Sequence, residues 1–175
     1  MLSFEESFLK YSGEKLEQYA ARIQDCLNRL TEEQIWLRGS AAENSAGNLV
    51  LHLCGNIRQW IGFGVGGQAD IRHRDAEFAA RGGAGSTELS QRLADAVTDA
   101  VAIIRAQTAE TLAQTTHVQG YEISKAEAIY HVVEHFSGHT GQIILLTKIL
   151  TGADLGYYKH LSMSASAAPH QDPIP

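Results

Sequence analysis

Residues 131–142 read HVVEHFSGHTGQ, three histidines at steps of four inside a segment that otherwise reads as one long apolar helix. Residues four apart share a helix face. On a helical wheel starting at His131, the residues Ala128, Val132, Ile143, Leu146 and Leu150 gather between roughly 60° and 120°. His139 falls inside that cluster, His135 beside it and His131 at its edge. A neutral imidazole among aliphatic side chains is costly unless its nitrogens are partnered, and one metal ion can partner two of them. The helix therefore reads as half of a coordination site, the plainer reading being hydrogen-bonded core histidines.

The other half is sought upstream, in NLVLHLCGNIRQWI at 48–61. There His52 is flanked on its wheel by Leu49, Leu53, Asn56 and Trp60, so it too points along an apolar face. Two facing helices would supply three nitrogens to one ion and leave positions open for water or substrate, the layout of a catalytic rather than a structural metal.

Working outward, Ser3 and Glu6 form a capping-box pattern before Leu16, Ala20, Ile23, Leu27 and Leu30, which predicts a first helix over 4–30. Thr31 and Gln34 are placed to cap a short turn, and Asn44 or Ser45 to open a second helix that carries His52 and fades at the glycines after Ile61. Residues 62–86 contain seven glycines. Their charged part, Arg72, His73, Arg74, Asp75 and Glu77, reads as a solvated turn, the competing reading being the mouth of a pocket. Leu89, Leu93, Val97, Val101 and Ile104 give a third helix to about Thr108. TTHV and YEI around Gln119-Gly120 suggest a small two-stranded ribbon, with His117 exposed. Ser124 and Glu127 then cap a fourth helix that ends at Leu150 or Thr151, with Gly152 as its left-handed stop. The sum is an all-α four-helix bundle with a long glycine-rich crossover between helices two and three. One domain over 1–161 is expected, with a disordered tail from Ser162.

Composition narrows the function. Fourteen basic against 20 acidic residues give a net charge of −6 without a basic run, which argues against nucleic acid as the main partner. No apolar run approaches the roughly 18 residues of a membrane span, and the acidic N-terminal stretch does not read as a secretion signal, so a cytoplasmic protein is expected. Cys26 and Cys54 are too few for a zinc knuckle or a disulfide framework and read as small buried residues.

Three motifs mislead. Gly62, Gly64 and Gly67 match G-x-G-x-x-G but close a helix instead of following a strand. His131 to His135 match the inverted zinc-protease motif, yet Glu134 points away from the apolar cluster, and only Asp154 and Asp172 follow as acidic ligands. The frame His135 to His139 has the zincin spacing with Phe136 where the glutamate belongs.

The segments HLCGNIRQW around His52 and HVVEHFSGHTGQI in the last helix resemble the DinB/YfiT-like superfamily of metal-dependent enzymes, over roughly residues 5–150. The resemblance implies an up-up-down-down bundle and His52, His135 and His139 as ligands, followed by the matching Gly141-Gln142. It also implies a divalent metal, commonly nickel or zinc, and frequent homodimers. Some relatives are thiol S-transferases that use a low-molecular-weight thiol, and others are regarded as hydrolases. Gly138 and Thr140 depart from the commonest pattern. With about 12 Å between i and i+8, His131 is an extra member of the stripe, lining a pocket or the core edge rather than sharing the ion with His139.

The expectation is a three-histidine metal enzyme acting on a small molecule by activating water or a thiol. No catalytic base is assigned; Glu134, His131 and Asn56 are the candidates, Asn56 being placed one turn beyond His52 to orient it or a substrate. The contrasting expectation is a non-catalytic metal-binding, ligand-binding or interaction bundle.

Overall fold

Most of the described helices start where a short polar side chain can satisfy backbone N–H groups that lack an intrahelical acceptor. In the computed structural model, which describes residues 1–159 and 161, helix α1 spans Phe4–Arg29 behind Ser3, whose hydroxyl accepts from the Glu6 N–H while Glu6 returns the bond to the Ser3 N–H. The same reciprocal box opens α2 (Glu32–Trp36) at Thr31 and Gln34, and α3 (Ala46–Ile57) at Ser45 and Asn48. Next come α4 (Arg74–Ala79), α5 (Ser86–Arg105) and α6 (Ala109–Leu112), and then the strands β1 (Thr115–Val118) and β2 (Tyr121–Ser124). Helix α7 (Lys125–Thr151) opens on a Ser124–Glu127 box and stops at Gly152, which has φ 67°. The strands pair antiparallel with Val118 opposite Tyr121, and Gln119 and Gly120 between them both have positive φ, the requirement of a tight two-residue hairpin.

Helix α1 packs on α5 and α7, and α3 packs on the same two. Between them lies one apolar core in which Leu16, Ile23, Leu53, Ile57, Leu93, Ile129 and Phe136 are among the fully buried side chains. No helix among the described residues is long and apolar enough to cross a membrane. The tail expected to be disordered, 162–175, lies outside the described residues.

Three expectations are corrected. Helix α3 does not fade after Ile61; it continues as a π-helical segment, Arg58–Val65, that contains Gly62 and Gly64. There the Thr116 hydroxyl donates to the Gly64 carbonyl at 2.6 Å, and a Cβ on Gly62 would meet Gln68 Oε1 at 2.7 Å. On α7 the buried stripe is Ala128, Val132, Phe136, Thr140, Ile143 and Thr147, while Leu146 and Leu150 are only half-buried. Its centre is turned by roughly 40° from the expected one, so His139 flanks the core instead of lying in it. The charged link is a solvated turn only in part: His73, Arg74 and Asp75 are exposed, but the segment folds α4 against α3 and buries Glu77 and the Arg72 side chain, which line a cavity together with His73.

Candidate metal centre

The four-residue step puts His131, His135 and His139 on one flank of α7, all half-buried, beside the Phe136 and Thr140 stripe that seats the helix on the core. That flank meets α3, where His52 is 5% exposed. His52 Nε2 and His135 Nε2 stand 2.9 Å apart, and the rings of His135 and His139 are 4.4 Å apart between centroids. His52, His135 and His139 each offer a nitrogen, and these three atoms lie within 4.8 Å of one another.

The outward-facing nitrogens are already engaged. His139 Nδ1 lies 2.7 Å from Gln142 Oε1, and His52 Nδ1 lies 3.0 Å from Glu77 Oε2. A ring whose Nδ1–H is donated carries its lone pair on Nε2, the form that binds a metal. Burial, with the neighbouring histidines adding to it, lowers His135 to about 3, and burial lowers His139 as well. Both imidazoles are therefore neutral at physiological pH. With metal–nitrogen bonds of about 2.0–2.1 Å, three imidazole nitrogens this close fit one divalent ion with only side-chain adjustment.

The carboxylate behind His52 comes from the link. Burial works against the Glu77 charge, but hydrogen bonds from Arg72 and His52 outweigh it and hold the carboxyl below the usual range. Arg72 grips it with two bonds of 2.8 Å, Nε to Oε1 and Nη2 to Oε2. Sequence reasoning named both residues as part of a solvated turn or a pocket mouth and gave neither a role at His52. The one trace of that role in the sequence is Gly55, an isolated glycine in an apolar helix, which marks a close approach.

The other candidates are placed as follows. His131 lies outside the donor trio and packs against Trp60 at 3.9 Å between centroids, the rings tilted by 32°. With Glu134, His135, Gly138, His139 and Gln142 it lines a recess of about 330 Å³. Glu134 is exposed on that rim. Asn56 is buried with its Oδ1 unpartnered, and among the described residues it is Glu77 that engages His52. Cys54, pushed up to about 12 by burial, faces a separate cavity of about 580 Å³ beyond Glu77 and Arg72. Gly62 and Gly64 lie inside the π-helical segment, which no strand precedes.

The family described as "Protein of unknown function (DUF1572)", a DinB-like family, matches residues 3–166. Among solved structures, the chain is similar to a conserved protein from Enterococcus faecalis, with 16% identity and a TM-score of 0.71 over 82% of this chain and 97% of that one. It is similar to the DinB-like protein YjoA from Bacillus subtilis, with 15% identity and a TM-score of 0.65 over 85% and 97%. A DinB-like protein from Bacillus cereus matches at 15% identity and a TM-score of 0.59 over 75% and 85%. At such identities the likeness shows the fold alone. No curated protein matches the chain significantly. The DinB-like resemblance read from the two histidine segments is borne out.

Proposed function

The chain belongs to the DUF1572 family, and on that footing we propose that it is a metal-dependent enzyme whose His52, His135 and His139 hold one divalent ion, nickel or zinc. The observation that carries this reading is the convergence of three imidazole nitrogens, from helices far apart in the chain, within 4.8 Å. Convergence of this kind has a cost, because two Nε2 atoms at 2.9 Å repel unless a proton or a cation lies between them. A divalent ion held there supplies Lewis acidity, which lowers the pKa of a water or a thiol enough for nucleophilic attack at neutral pH.

The chain's own residues do the rest. The recess on the outer side of α7 admits a small molecule to the histidines, and its rim carries Glu134 and His131 within the same opening. The His131 imidazole, lowered mainly by burial and packed against the Trp60 ring, is neutral and placed to take a proton. Exposed Glu134 is the alternative acceptor. Hydrolysis and transfer to a low-molecular-weight thiol both suit this arrangement, in a homodimer built on an up-up-down-down four-helix bundle with the glycine-rich link as crossover.

Elemental analysis of the purified protein tests the centre. About one nickel or zinc per chain is expected, falling close to zero in His135→Ala; an unchanged stoichiometry in that variant overturns the ligand set. A conjugation assay with low-molecular-weight thiols and an electrophile, run beside ester and amide substrates, separates transfer from hydrolysis. Full metal loading without turnover in either assay points to the binding module instead.

A further inference from the structure

Glu77 reaches His52 across 25 positions of sequence, and several independent contacts hold it there. The backbone around it is pinned to α3 and to the segment before it: Asn48 Nδ2 donates to the carbonyls of Glu77 at 2.8 Å and Ala80 at 2.9 Å, and Arg38 Nη2 donates to that of Phe78 at 2.6 Å. The Phe78 ring closes on the His52 ring at 4.7 Å. Arg72, with its side chain 3% exposed, clamps both carboxylate oxygens and also donates from Nη1 to Gln59 Oε1 at 3.0 Å. On α3 the space is left by Gly55: a Cβ there would stand 1.9 Å from Glu77 Oε1 and 3.0 Å from Arg72 Nε. No side chain larger than hydrogen at 55 is compatible with the carboxylate in this place.

We infer that Glu77 is a positioning residue for the metal centre: clamped by Arg72 and admitted by Gly55, it accepts the Nδ1–H of His52 and so leaves the Nε2 lone pair aimed at the ion shared with His135 and His139. The inference rests on the metal reading above. The carboxylate sits at the ring nitrogen opposite Nε2, so it orients the ligand and is not itself a ligand of the same ion. Arg72 Nη2 lies 3.0 Å from the same Nδ1, equal to the Glu77 distance. The pair thus serves both tautomers. With the ring proton on Nε2, directed at His135 Nε2, Nδ1 accepts from Arg72; with Nε2 given to a cation, the proton moves to Nδ1 and Glu77 receives it. A carboxylate in this relation to a ligating histidine fixes the ring and raises its basicity, and losing it costs about 10- to 100-fold in metal affinity.

The test is Zn²⁺ affinity by competition with a chromophoric chelator, on full-length Gly55→Ala and Glu77→Ala, with circular dichroism to establish that each is folded and His52→Ala as the reference. Both variants are expected to bind Zn²⁺ about 10- to 100-fold more weakly than the parent. Folded variants with parental affinity, beside a His52→Ala protein that has lost it, overturn the positioning role and leave the ligand set standing. Parental affinity in His52→Ala removes the ligand set and this inference with it. Should neither substitution fold, ¹⁵N NMR of the zinc-loaded parent decides: His52 protonated on Nδ1 supports the inference, and protonation on Nε2 overturns it.

Discussion

On α7 the histidines stand half-buried at successive turns, and among the described residues the hydrogen bond that steadies them from outside the cluster is His139 Nδ1 to Gln142 on the same helix. On α3 a single buried histidine is gripped by a carboxylate and a guanidinium from a link some twenty residues further on. The imidazoles of one cluster are thus brought together by two routes. A regular helix supplies two imidazoles by periodicity, near solvent and at small cost. The third needs two desolvated charges, which are tolerated only because each is the other's partner, and a helix stripped to glycine at the point of contact. The contrast predicts that the α3 side is brittle and the α7 side forgiving.

The largest expected effect comes from breaking the buried pair. Arg72→Met leaves the Glu77 carboxylate buried without its cation, which costs about 3 kcal/mol and lowers the melting temperature by roughly 6–12 °C in a chain of this size. Gln142→Ala, which removes the outer partner of His139, is expected to leave the melting temperature within about a degree, exposed contacts being worth little. Scanning calorimetry of the two metal-free variants checks both, and equal melting temperatures would dissolve the contrast.

Acid sharpens it next. His135, lowered to about 3, and His139, lowered in the same direction, both bind protons less readily folded than at their ordinary 6.5. Below pH 6.5 the unfolded chain therefore holds more protons than the folded one, and stability that is complete above that pH drains away as the pH falls toward 3. Metal-free protein should melt several degrees lower at pH 5 than at pH 7, with a flatter profile in His135→Ala. The Glu77 carboxyl, held below its usual 4.5, adds its own loss only in more acidic solution. A melting temperature that rises on going from pH 7 to pH 5 would mean that the α7 imidazoles are not held neutral.

The smallest effect has the opposite sign. Gly138 is exposed in the interior of α7, and a Cβ there would meet nothing within 4 Å. Gly138→Ala should stabilise by up to about 1 kcal/mol, a rise of roughly 2–4 °C, measurable by thermal melts beside Gly55→Ala, which should lose stability. If both alanines act in the same direction, the two glycines are not doing the different jobs that their surroundings assign them.

Much of this was legible in the chain alone because it is written locally. The caps at Ser3, Thr31 and Ser124, the hairpin at Gln119-Gly120 and the stop at Gly152 each depend on residues within about four positions, and so does the histidine stripe. The DinB-like identity rode on two such short segments. The mistakes lie where a partner is remote. The turn of α7 toward Phe136 and Thr140 was decided by which side of it the other helices cover. The segment that carries α3 past Ile61 packs on α5, β1 and α7, all remote in sequence. Arg72 and Glu77 read as solvated because charges in a glycine-rich link usually are, and nothing near them in sequence announces Asn48, Gly55 and His52. Periodicity and capping act over one helical turn and are fixed by the order of residues; the burial of an ion pair depends on desolvation against its electrostatic return, a balance struck only when distant segments meet.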